Sequence, residues 1–473
     1  MKTYPLYLNN EFVTSEKQVP IKNPATGEVI AQMSMIDQPG VEVAIADAQA
    51  ALAGWRGLTG QARGAFLHRV AAELERRRAE MARTITLENG KPLAQSLGEI
   101  DMSVDHLRWF AEEARRGYGR VIPHQTDGKR HLVIKTAIGV VGAIAPWNFP
   151  LVLGVRKMAP ALAAGCPVLL KPASATPLCN VALAEAVHAA KLPPGVFQLV
   201  AGPAAVVAGE FLRNPLVRKI SFTGSTESGS SLIAGAAAGI KPLSLELGGL
   251  NAVLVFDDAD LPRAVEGTMV AKFRNTGQSC IAANRIYVQR GIYDRFLEAF
   301  VDRVKALKAG DGLEPETQIG PMIDENAVNK AAAHVTDALR RGARLLCGGR
   351  RLERAGCFFE ATVLADAPAA SLCMAEETFG PVAAVASFET EAEAVTAANG
   401  APYGLAAYVF TRDVSRAFRL MEQVEAGMVA INDGLPTTSN APFGGVKQSG
   451  WGRELGGEGM EAFLETKHIS IAL

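Results

Sequence analysis

A cysteine and a glutamate stand out in this chain of 473 residues, because both lie beside glycine-bearing backbone where a side chain can meet a ligand. Cys280 follows Gly277, which interrupts a helical pattern, and Glu246 lies in a strand-like run that leads into Gly248 and Gly249. A thiolate is a nucleophile for acyl chemistry, and a carboxylate can act as a general base. The seven histidines are scattered along the chain, so Glu246 is a better candidate base than a histidine.

Each of these residues has an ordinary structural interpretation when it is taken alone. A free thiol is usually buried in a core, and a glutamate commonly forms a surface ion pair. Asn148 lies between Pro146 and Pro150 in a rigid turn after a strand, so its amide could stabilise an oxyanion together with a backbone N–H. The alternative for Asn148 is a turn residue that caps its own backbone.

Three further segments could bind a dinucleotide. Lys171 ends an apolar strand-like run with Ser174 close behind it, where a charge could bond ribose hydroxyls or phosphate. Segment 221–229 reads as a strand entering a helix through glycine and hydroxyl residues, and helix N-terminal amides bind phosphate. Glu377 and Phe379 lie on a constrained turn and could hold a ribose and a flat ring.

Composition excludes several classes of function. The chain has 48 basic and 49 acidic residues, so nothing favours nucleic acid or an anionic membrane as a partner. Its six cysteines form no Cys-x-x-Cys pair, which predicts neither a bound metal nor disulfides, and reduced cytoplasmic thiols are expected. The uncharged stretch 137–155 is broken by Pro146, Asn148 and Pro150, so it predicts two buried segments rather than a membrane span.

The elements that must position these residues can be predicted from periodicity. The first region is helical over 41–54, 62–87 and 93–117, and 130–136 alternates like a half-exposed strand. From Gly139 onwards strands and helices alternate, which predicts a parallel sheet that binds ligands at the carboxyl ends of its strands. The predicted strands are 139–145, 167–171, 196–200 and 219–222, and the helices between them are 155–164, 177–190 and 204–212.

A second alternating region begins near residue 251 and predicts a second α/β domain. Its strands are predicted at 252–256, 285–288, 383–388 and 428–431, and its helices at 261–274, 293–307 and 389–397. The C-terminal residues 467–473 alternate again and predict an edge strand that lacks a partner.

Taken jointly, these segments resemble the aldehyde dehydrogenase superfamily over nearly the whole chain. The matching motifs, in order, are PWNFP (146–150), KPAS (171–174), FTGST (222–226), ELGG (246–249), GQSC (277–280), ETFGP (377–381) and PFGG (442–445). The resemblance implies NAD(P)-dependent aldehyde oxidation: Cys280 attacks the aldehyde, Asn148 and the Cys280 amide hold the oxyanion, and hydride leaves for the nicotinamide. Glu246 then activates water to hydrolyse the thioester, and Lys157 and Glu454 match positions linked to proton relay.

The same resemblance implies the cofactor contacts. Lys171 and Glu377 would hold ribose hydroxyls and Phe379 would help to place the nicotinamide ribose. The remaining implied cofactor residues are Trp147, Ser174, Thr223, Gly224, Ser225 and Leu247. Because relatives with glutamate at position 174 disfavour a 2′-phosphate, Ser174 makes NADP slightly favoured over NAD, and Lys171 could pair with the phosphate.

Within the superfamily, the chain looks most like the succinate-semialdehyde dehydrogenases. The motifs VRKMAPAL (155–162), NPLVRK (214–219), KFRN (272–275) and AANR (282–285) carry this likeness. Arg156 matches the arginine that binds the substrate carboxylate, Arg274 could share that role, and Thr437 replaces a carboxylate-binding serine. Ala282 stands where the subfamily often has a second cysteine, so no local disulfide switch is expected.

The resemblance implies two doubly wound α/β domains and a small β oligomerisation arm. Residues 1–117 and 138–246 would form the cofactor-binding domain and 247–445 the catalytic domain, with the arm and C-terminal segment at 118–137 and 446–473. A homodimer or homotetramer is expected, with a small aldehyde as substrate.

Three alternatives remain open at the level of sequence. One is another aldehyde, such as glutarate semialdehyde or lactaldehyde. The others are a catalytically silent homologue and a cofactor-free thioester hydrolase.

Overall fold

Two large open sheets dominate the computed structural model, which describes residues 1–473. The strands, β1 to β23 in chain order, are Thr3–Tyr4, Leu6–Leu8, Glu11–Val13, Gln18–Lys22, Val29–Ser34, Arg120–Ile122, Lys129–Ala137, Val140–Ile144, Val168–Lys171, Phe197–Leu199, Val217–Thr223, Leu243–Glu246, Asn251–Val255, Ala283–Gln289, Arg344–Cys347, Thr362–Ala365, Val382–Phe388, Tyr403–Gly404, Ala406–Phe410, Met428–Ile431, Val446–Lys447, Gly450–Trp451 and Leu464–Ala472.

The helices, α1 to α15 in chain order, are Gln38–Gly57, Gly60–Arg76, Arg78–Asn89, Leu93–Glu113, Pro150–Ala164, Leu178–Ala189, Ala204–Arg213, Thr226–Ala237, Leu261–Phe273, Tyr293–Lys305, Glu325–Arg340, Leu372–Ala375, Glu391–Asn399, Val414–Gln423 and Gly456–Glu461. None of them has the length and apolar content needed to cross a membrane.

The eight-stranded sheet has the order β22-β12-β11-β8-β9-β10-β2-β3. Strands β8 and β9 are buried along their whole length, as continuous apolar runs in a parallel sheet require. In its parallel centre, Ile144 lies opposite Lys171 and also opposite Phe222, while Thr223 lies opposite Glu246. The carboxyl ends of β8, β9, β11 and β12 therefore meet at one edge of the sheet.

The seven-stranded sheet has the order β15-β16-β17-β14-β13-β19-β20, and all its pairs are parallel except β15 with β16. It contains the four strands predicted for the second region as β13, β14, β17 and β20. Strands β15, β16 and β19 were not predicted, because their short runs carry no periodicity that separates a strand from a helix.

Two predictions about local structure were wrong. The periodic segment 62–87 is not one helix, since α2 ends and α3 begins around Arg77, whose backbone (φ −98°, ψ 8°) leaves the helix. The apolar pattern continues across that residue, so periodicity alone does not mark the break. The C-terminal strand does not lack a partner: β23 pairs with β7 of the same chain along its whole length, in a three-stranded arm of order β23-β7-β6.

The C-terminal segment also contributes to the large sheet before it reaches the arm. Strand β22 pairs antiparallel with β12, and Gly450 lies opposite Glu246. Gly450 has φ +119°, and a Cβ there would lie 1.9 Å from the carbonyl oxygen of Leu245. Only glycine therefore allows β22 to pair this closely with β12 beside the candidate base Glu246.

Candidate active site

Residues 274–280, which we call the thiol loop, begin where α9 ends at Phe273 and end at Cys280. A single 3₁₀ turn, Arg274–Gly277, comes first, in which Asn275 (φ 50°) and Thr276 (φ 58°) have left-handed backbone. Side-chain-bearing residues adopt this conformation only where the surroundings hold them. Here Asn275 N donates to Gln95 Oε1 at 2.8 Å, and Thr276 Oγ1 donates to the carbonyl of Gly320 at 3.0 Å. The loop that carries Cys280 is thus fixed in a strained shape.

A small pocket surrounds Cys280 and brings together four of the predicted site residues. Besides Cys280, these are Arg156, Arg274 and Thr437. The remaining lining residues are Met102, Phe149, Val152, Leu153, Ser279, Ile281 and Phe443. The wall is apolar apart from two guanidinium groups and hydroxyls, and it contains no carboxylate.

Both arginines are buried or half-buried, and each guanidinium lies over an aromatic ring. The Arg156 guanidinium lies 4.5 Å from the centre of the Phe443 ring, and that of Arg274 lies 4.8 Å from the centre of the Phe149 ring. The Nε of Arg156 is buried without a hydrogen-bond partner. An unpaired buried donor is costly, so this wall of the pocket is suited to an anionic ligand group.

Burial raises the pKa of the Cys280 thiol to about 12. Negative charge on Glu377 and Glu246 adds to the rise, while the Arg156 guanidinium opposes it. Desolvation disfavours the thiolate, so the resting thiol is protonated at neutral pH. A role for Cys280 as a nucleophile would therefore require a change in its surroundings.

Glu246 ends β12 and is buried, with Oε2 lacking a hydrogen-bond partner. Burial raises its pKa well above the usual range, the nearby Glu454 adds to the rise, and Lys157 and Arg156 oppose it. A carboxyl group with a raised pKa is a stronger base than an exposed one once it has lost its proton. Gly444 leaves room for it, since a Cβ there would lie 2.8 Å from Glu246 Oε1.

A buried chain of polar groups lies behind Glu246. Lys157 Nζ donates to Glu454 Oε1 at 2.5 Å and to Thr223 Oγ1 at 2.6 Å. Glu454 Oε2 is buried and has no hydrogen-bond partner. The hydroxyl of Thr223, predicted as a cofactor contact, thus accepts a hydrogen bond from Lys157.

Asn148 contacts the thiol loop directly. Its side-chain Nδ2 donates to the backbone carbonyl of Gln278 at 3.1 Å. The backbone carbonyl of Asn148 accepts from Lys91 Nζ at 2.7 Å and from Asn275 Nδ2 at 2.8 Å. A side-chain amide carries two N–H donors. One tethers Asn148 to the loop that carries Cys280, and the other has no hydrogen-bond partner within the protein.

The predicted cofactor residues gather at the carboxyl edge of the eight-stranded sheet. Lys171 is buried at the end of β9, its Nζ donates only to the carbonyl of Pro172 (3.1 Å), and burial lowers its pKa to about 8. Glu377 Oε1 accepts from Gly249 N at 3.2 Å, and burial raises its pKa to about 7. A Cβ at Gly248 would lie 2.8 Å from Glu377 Oε2, so glycine at this position allows the carboxylate to lie against the backbone.

The other cofactor candidates differ in their exposure. The Trp147 and Phe379 rings pack edge to face with centres 5.5 Å apart. Ser174 is exposed, and Ser225 caps α8 by accepting a hydrogen bond from Ser228 N at 3.2 Å. Gly224 lies just before that cap, whereas Leu247 is buried. These residues fit a dinucleotide laid across the edge, with phosphate near the start of α8.

Sequence reasoning missed several residues that the fold places at this site. Phe149, Phe443 and Met102 line the pocket, Lys91 holds Asn148, and Asn275 contacts both Asn148 and Gln278. Lys91 follows Asn89-Gly90, where α3 ends, so its local sequence is typical of a lysine in an exposed turn. Only the contacts in the folded chain distinguish Lys91 from a surface lysine.

Known proteins are similar to this chain in both sequence and fold. A model of the aldehyde dehydrogenase family matches residues 12–469. The chain is 48% identical over 469 residues to the NADP-dependent succinate-semialdehyde dehydrogenase of Escherichia coli, covering 98% of this chain and 97% of that protein. It is also 48% identical over 469 residues to the glutarate-semialdehyde dehydrogenase of Pseudomonas putida, with 99% and 97% covered. A crystal structure described as an E. coli NADP-dependent enzyme superposes with a TM-score of 0.99 at 47% identity, covering 100% and 98% of the two chains.

The raised pKa of Cys280 predicts how the protein reacts with iodoacetamide in the absence of cofactor. Below a pKa of about 12, the thiolate fraction rises about tenfold for each pH unit, so the alkylation rate is expected to climb from pH 7 to pH 9 without a plateau. Arg156→Met removes a charge that favours the thiolate and should slow the reaction, whereas Arg340→Met on the surface should not. Mass spectrometry of the Cys280 peptide measures the rate, and a plateau below pH 9 would contradict the expectation.

Proposed function

The chain belongs to the aldehyde dehydrogenase family, and on that premise we propose that it oxidises an ω-carboxylated aldehyde, succinate semialdehyde first among them, with NADP or NAD. The main support is the pocket around Cys280, whose wall contains two arginines and no carboxylate and therefore favours an anionic substrate. An aldehyde that entered with its carboxylate against Arg156 and Arg274 would present its carbonyl carbon to the thiol.

In the proposed first step, the Cys280 thiolate adds to the aldehyde carbon and the carbonyl oxygen becomes an oxyanion. The free N–H of Asn148 and the backbone N–H of Cys280 would donate to that oxygen. Removal of one such donor typically slows an acyl-transfer enzyme about 10²–10³-fold. The tether from Asn148 Nδ2 to the Gln278 carbonyl supports this role, because it fixes the amide next to the nucleophile.

The cofactor, when bound, accepts the hydride that converts the thiohemiacetal on Cys280 into a thioester. We assign its ribose hydroxyls to Lys171, whose Nζ donates only to the carbonyl of Pro172, and to Glu377, whose Oε1 accepts only from Gly249 N. The Trp147 and Phe379 rings would border the nicotinamide end. Further contacts are assigned to Ser174, Thr223, Gly224, Ser225 and Leu247, with Thr223 and Leu247 acting through backbone or packing because their side chains are buried.

In the proposed last step, Glu246 takes a proton from a water molecule that attacks the thioester. This breaks the C–S bond, releases the carboxylic acid and returns the sulfur of Cys280 as a thiolate, while the second proton of the water stays on Glu246. Lys157 and Glu454 would carry the proton away from Glu246. Their 2.5 Å ion pair supports this assignment, together with the charge of Glu454, which helps to raise the pKa of Glu246.

Glutarate semialdehyde is the second candidate substrate. The glutarate-semialdehyde dehydrogenase of Pseudomonas putida is as similar to this chain as the succinate-semialdehyde dehydrogenase of Escherichia coli. The two substrates differ by one methylene, which a hydrophobic pocket discriminates by only about 10–200-fold. Thr437 lies on the same pocket wall as the two arginines and would share in that choice.

We further propose that the two large sheets correspond to a cofactor-binding and a catalytic domain, and that the arm joins subunits in a dimer or tetramer. Strands β23 and β6 leave the outer edges of the arm open, and Tyr118 and Val121 on it are largely exposed. Open strand edges and exposed apolar side chains of this kind are normally covered by another chain.

Replacement of the base should separate hydride transfer from hydrolysis. Glu246→Gln is expected to give one equivalent of NADPH per active site in a rapid burst, followed by turnover slowed about 10²–10⁴-fold, because only the water-activating step is lost. Stopped-flow absorbance measures both phases. Cys280→Ala should abolish the burst itself, and full turnover in Glu246→Gln would contradict the assignment.

Arg156→Met should raise KM for succinate semialdehyde about 10–100-fold, because a charge-assisted hydrogen bond to the substrate carboxylate is lost. Butanal has the same carbon chain without the carboxylate, so its kcat/KM should stay within about threefold of the wild-type value. Initial rates with both aldehydes test this expectation. An unchanged KM for succinate semialdehyde would show that Arg156 does not bind the substrate carboxylate.

Ser174→Glu should shift the cofactor preference towards NAD. The new carboxylate repels a 2′-phosphate, so KM for NADP is expected to rise at least about tenfold while KM for NAD stays the same or falls. Ser174→Gln has similar volume without the charge and is the matched control. Equal effects of both variants on NADP would show that the shift is steric.

A further inference from the structure

A second buried ion pair lies outside the groups used in the proposed chemistry. Lys91 Nζ and Glu99 Oε2 are 2.6 Å apart, and both side chains are completely buried. Lys91 stands just before α4 and Glu99 in its second turn. A buried pair of charges is often no more stabilising than an apolar pair of the same volume. Its other contacts must therefore explain what the charges do here.

The ion pair holds the chain on both sides of Phe149. Lys91 Nζ also donates to the carbonyl of Asn148 at 2.7 Å. Glu99 Oε1 accepts from Leu151 N at 2.9 Å and from Val152 N at 3.2 Å, two of the otherwise unpaired amides in the first turn of α5. The turn that presents the Asn148 side chain is thus fastened at its carbonyl and at the start of the next helix.

Neighbouring contacts strengthen the same turn. The Lys91 ammonium lies 3.8 Å from the centre of the Phe149 ring, and Asn89 Nδ2 donates to the carbonyl of Trp147 at 3.0 Å. From the other side, Asn275 Nδ2 bonds the carbonyls of both Asn148 and Gln278. The Asn148 carbonyl is therefore the point at which the segment before α4 and the thiol loop are joined.

We propose that Lys91 and Glu99 are positioning residues, which set the distance between the Asn148 amide and Cys280 by holding the Asn148 carbonyl and the start of α5. This inference rests on the proposed role of Asn148 as an oxyanion donor. Both side chains are completely buried and already bonded to each other, so neither is expected to touch the substrate. A displacement of the donor by about 1 Å is enough to slow catalysis roughly 10²-fold.

The test is a double-mutant cycle with full-length protein. Lys91→Met combined with Glu99→Gln removes both charges, and the glutamine oxygen still accepts from the α5 amides, so chiefly the bond to the Asn148 carbonyl is lost. In the wild-type background, the single-turnover rate of NADPH formation should fall about 10–100-fold with KM for the aldehyde within threefold. In an Asn148→Ala background, the same pair of changes should slow that rate by less than about twofold, because the group being positioned is absent.

Two further variants keep the result interpretable. Ser103→Ala removes a buried hydroxyl that donates to the Glu99 carbonyl in the same helix, and it should leave the rate unchanged. If the paired variant does not fold, Glu99→Asp keeps both charges and withdraws the carboxylate from the α5 amides. That variant should slow the reaction about fivefold in the wild-type background and not in the Asn148→Ala background.

Equal slowing in both backgrounds would overturn the inference, since it would indicate a general loss of structure. An unchanged rate for the paired variant in the wild-type background would also overturn it. If Asn148→Ala itself left NADPH formation at the wild-type rate, the oxyanion assignment and the positioning role would both fail. That outcome differs from the first two, in which Asn148→Ala is slow and only the role of Lys91 and Glu99 is rejected.

Discussion

The parallel register at the centre of the eight-stranded sheet is the constraint on which the candidate site depends. Because β8, β9, β11 and β12 run in the same direction with matched ends, the residues at and just beyond the end of each strand must meet at one edge. Asn148, Lys171, Thr223 and Glu246 come from positions far apart in sequence and reach that edge only through this pairing. The antiparallel strand β22, which requires glycine at position 450, pairs along the side of β12 and places Gly450 opposite Glu246.

Burial of charge is the second determinant of the site's chemistry. Two lysine–glutamate pairs, Lys91–Glu99 and Lys157–Glu454, are almost entirely removed from water. Loss of one partner from such a pair typically lowers the free energy of unfolding by about 3–5 kcal/mol. Each lysine therefore makes substitution of its partner glutamate by an uncharged residue costly. Against this background of paired charges, the atoms that remain without partners include Arg156 Nε and Glu246 Oε2, which belong to residues assigned to substrate and water.

Sequence reasoning and structure agree most closely where a motif combines glycine or proline with a reactive side chain. PWNFP, ELGG and GQSC mark places where the backbone must turn sharply, and the structure puts all three near the thiol loop or the edge of the sheet. Agreement fails where the signal is purely periodic. The break at Arg77 leaves the apolar pattern intact, and the partner of β23 lies more than 300 residues away in the chain.

The sequence by itself determined the family, the α/β class and the candidate nucleophile and base, because ordered local motifs and periodic patterns encode them, and the resemblance to the family then indicated the two arginines. Only the tertiary structure decided that Arg156 and Arg274 face one pocket, that the Thr223 hydroxyl bonds Lys157, and that Lys91 and Glu99 hold the turn around Asn148. The physical reason is that Coulomb interactions and hydrogen bonds depend on distance through space. The desolvation that shifts the pKa values of Cys280 and Glu246 likewise exists only after the chain has packed around them.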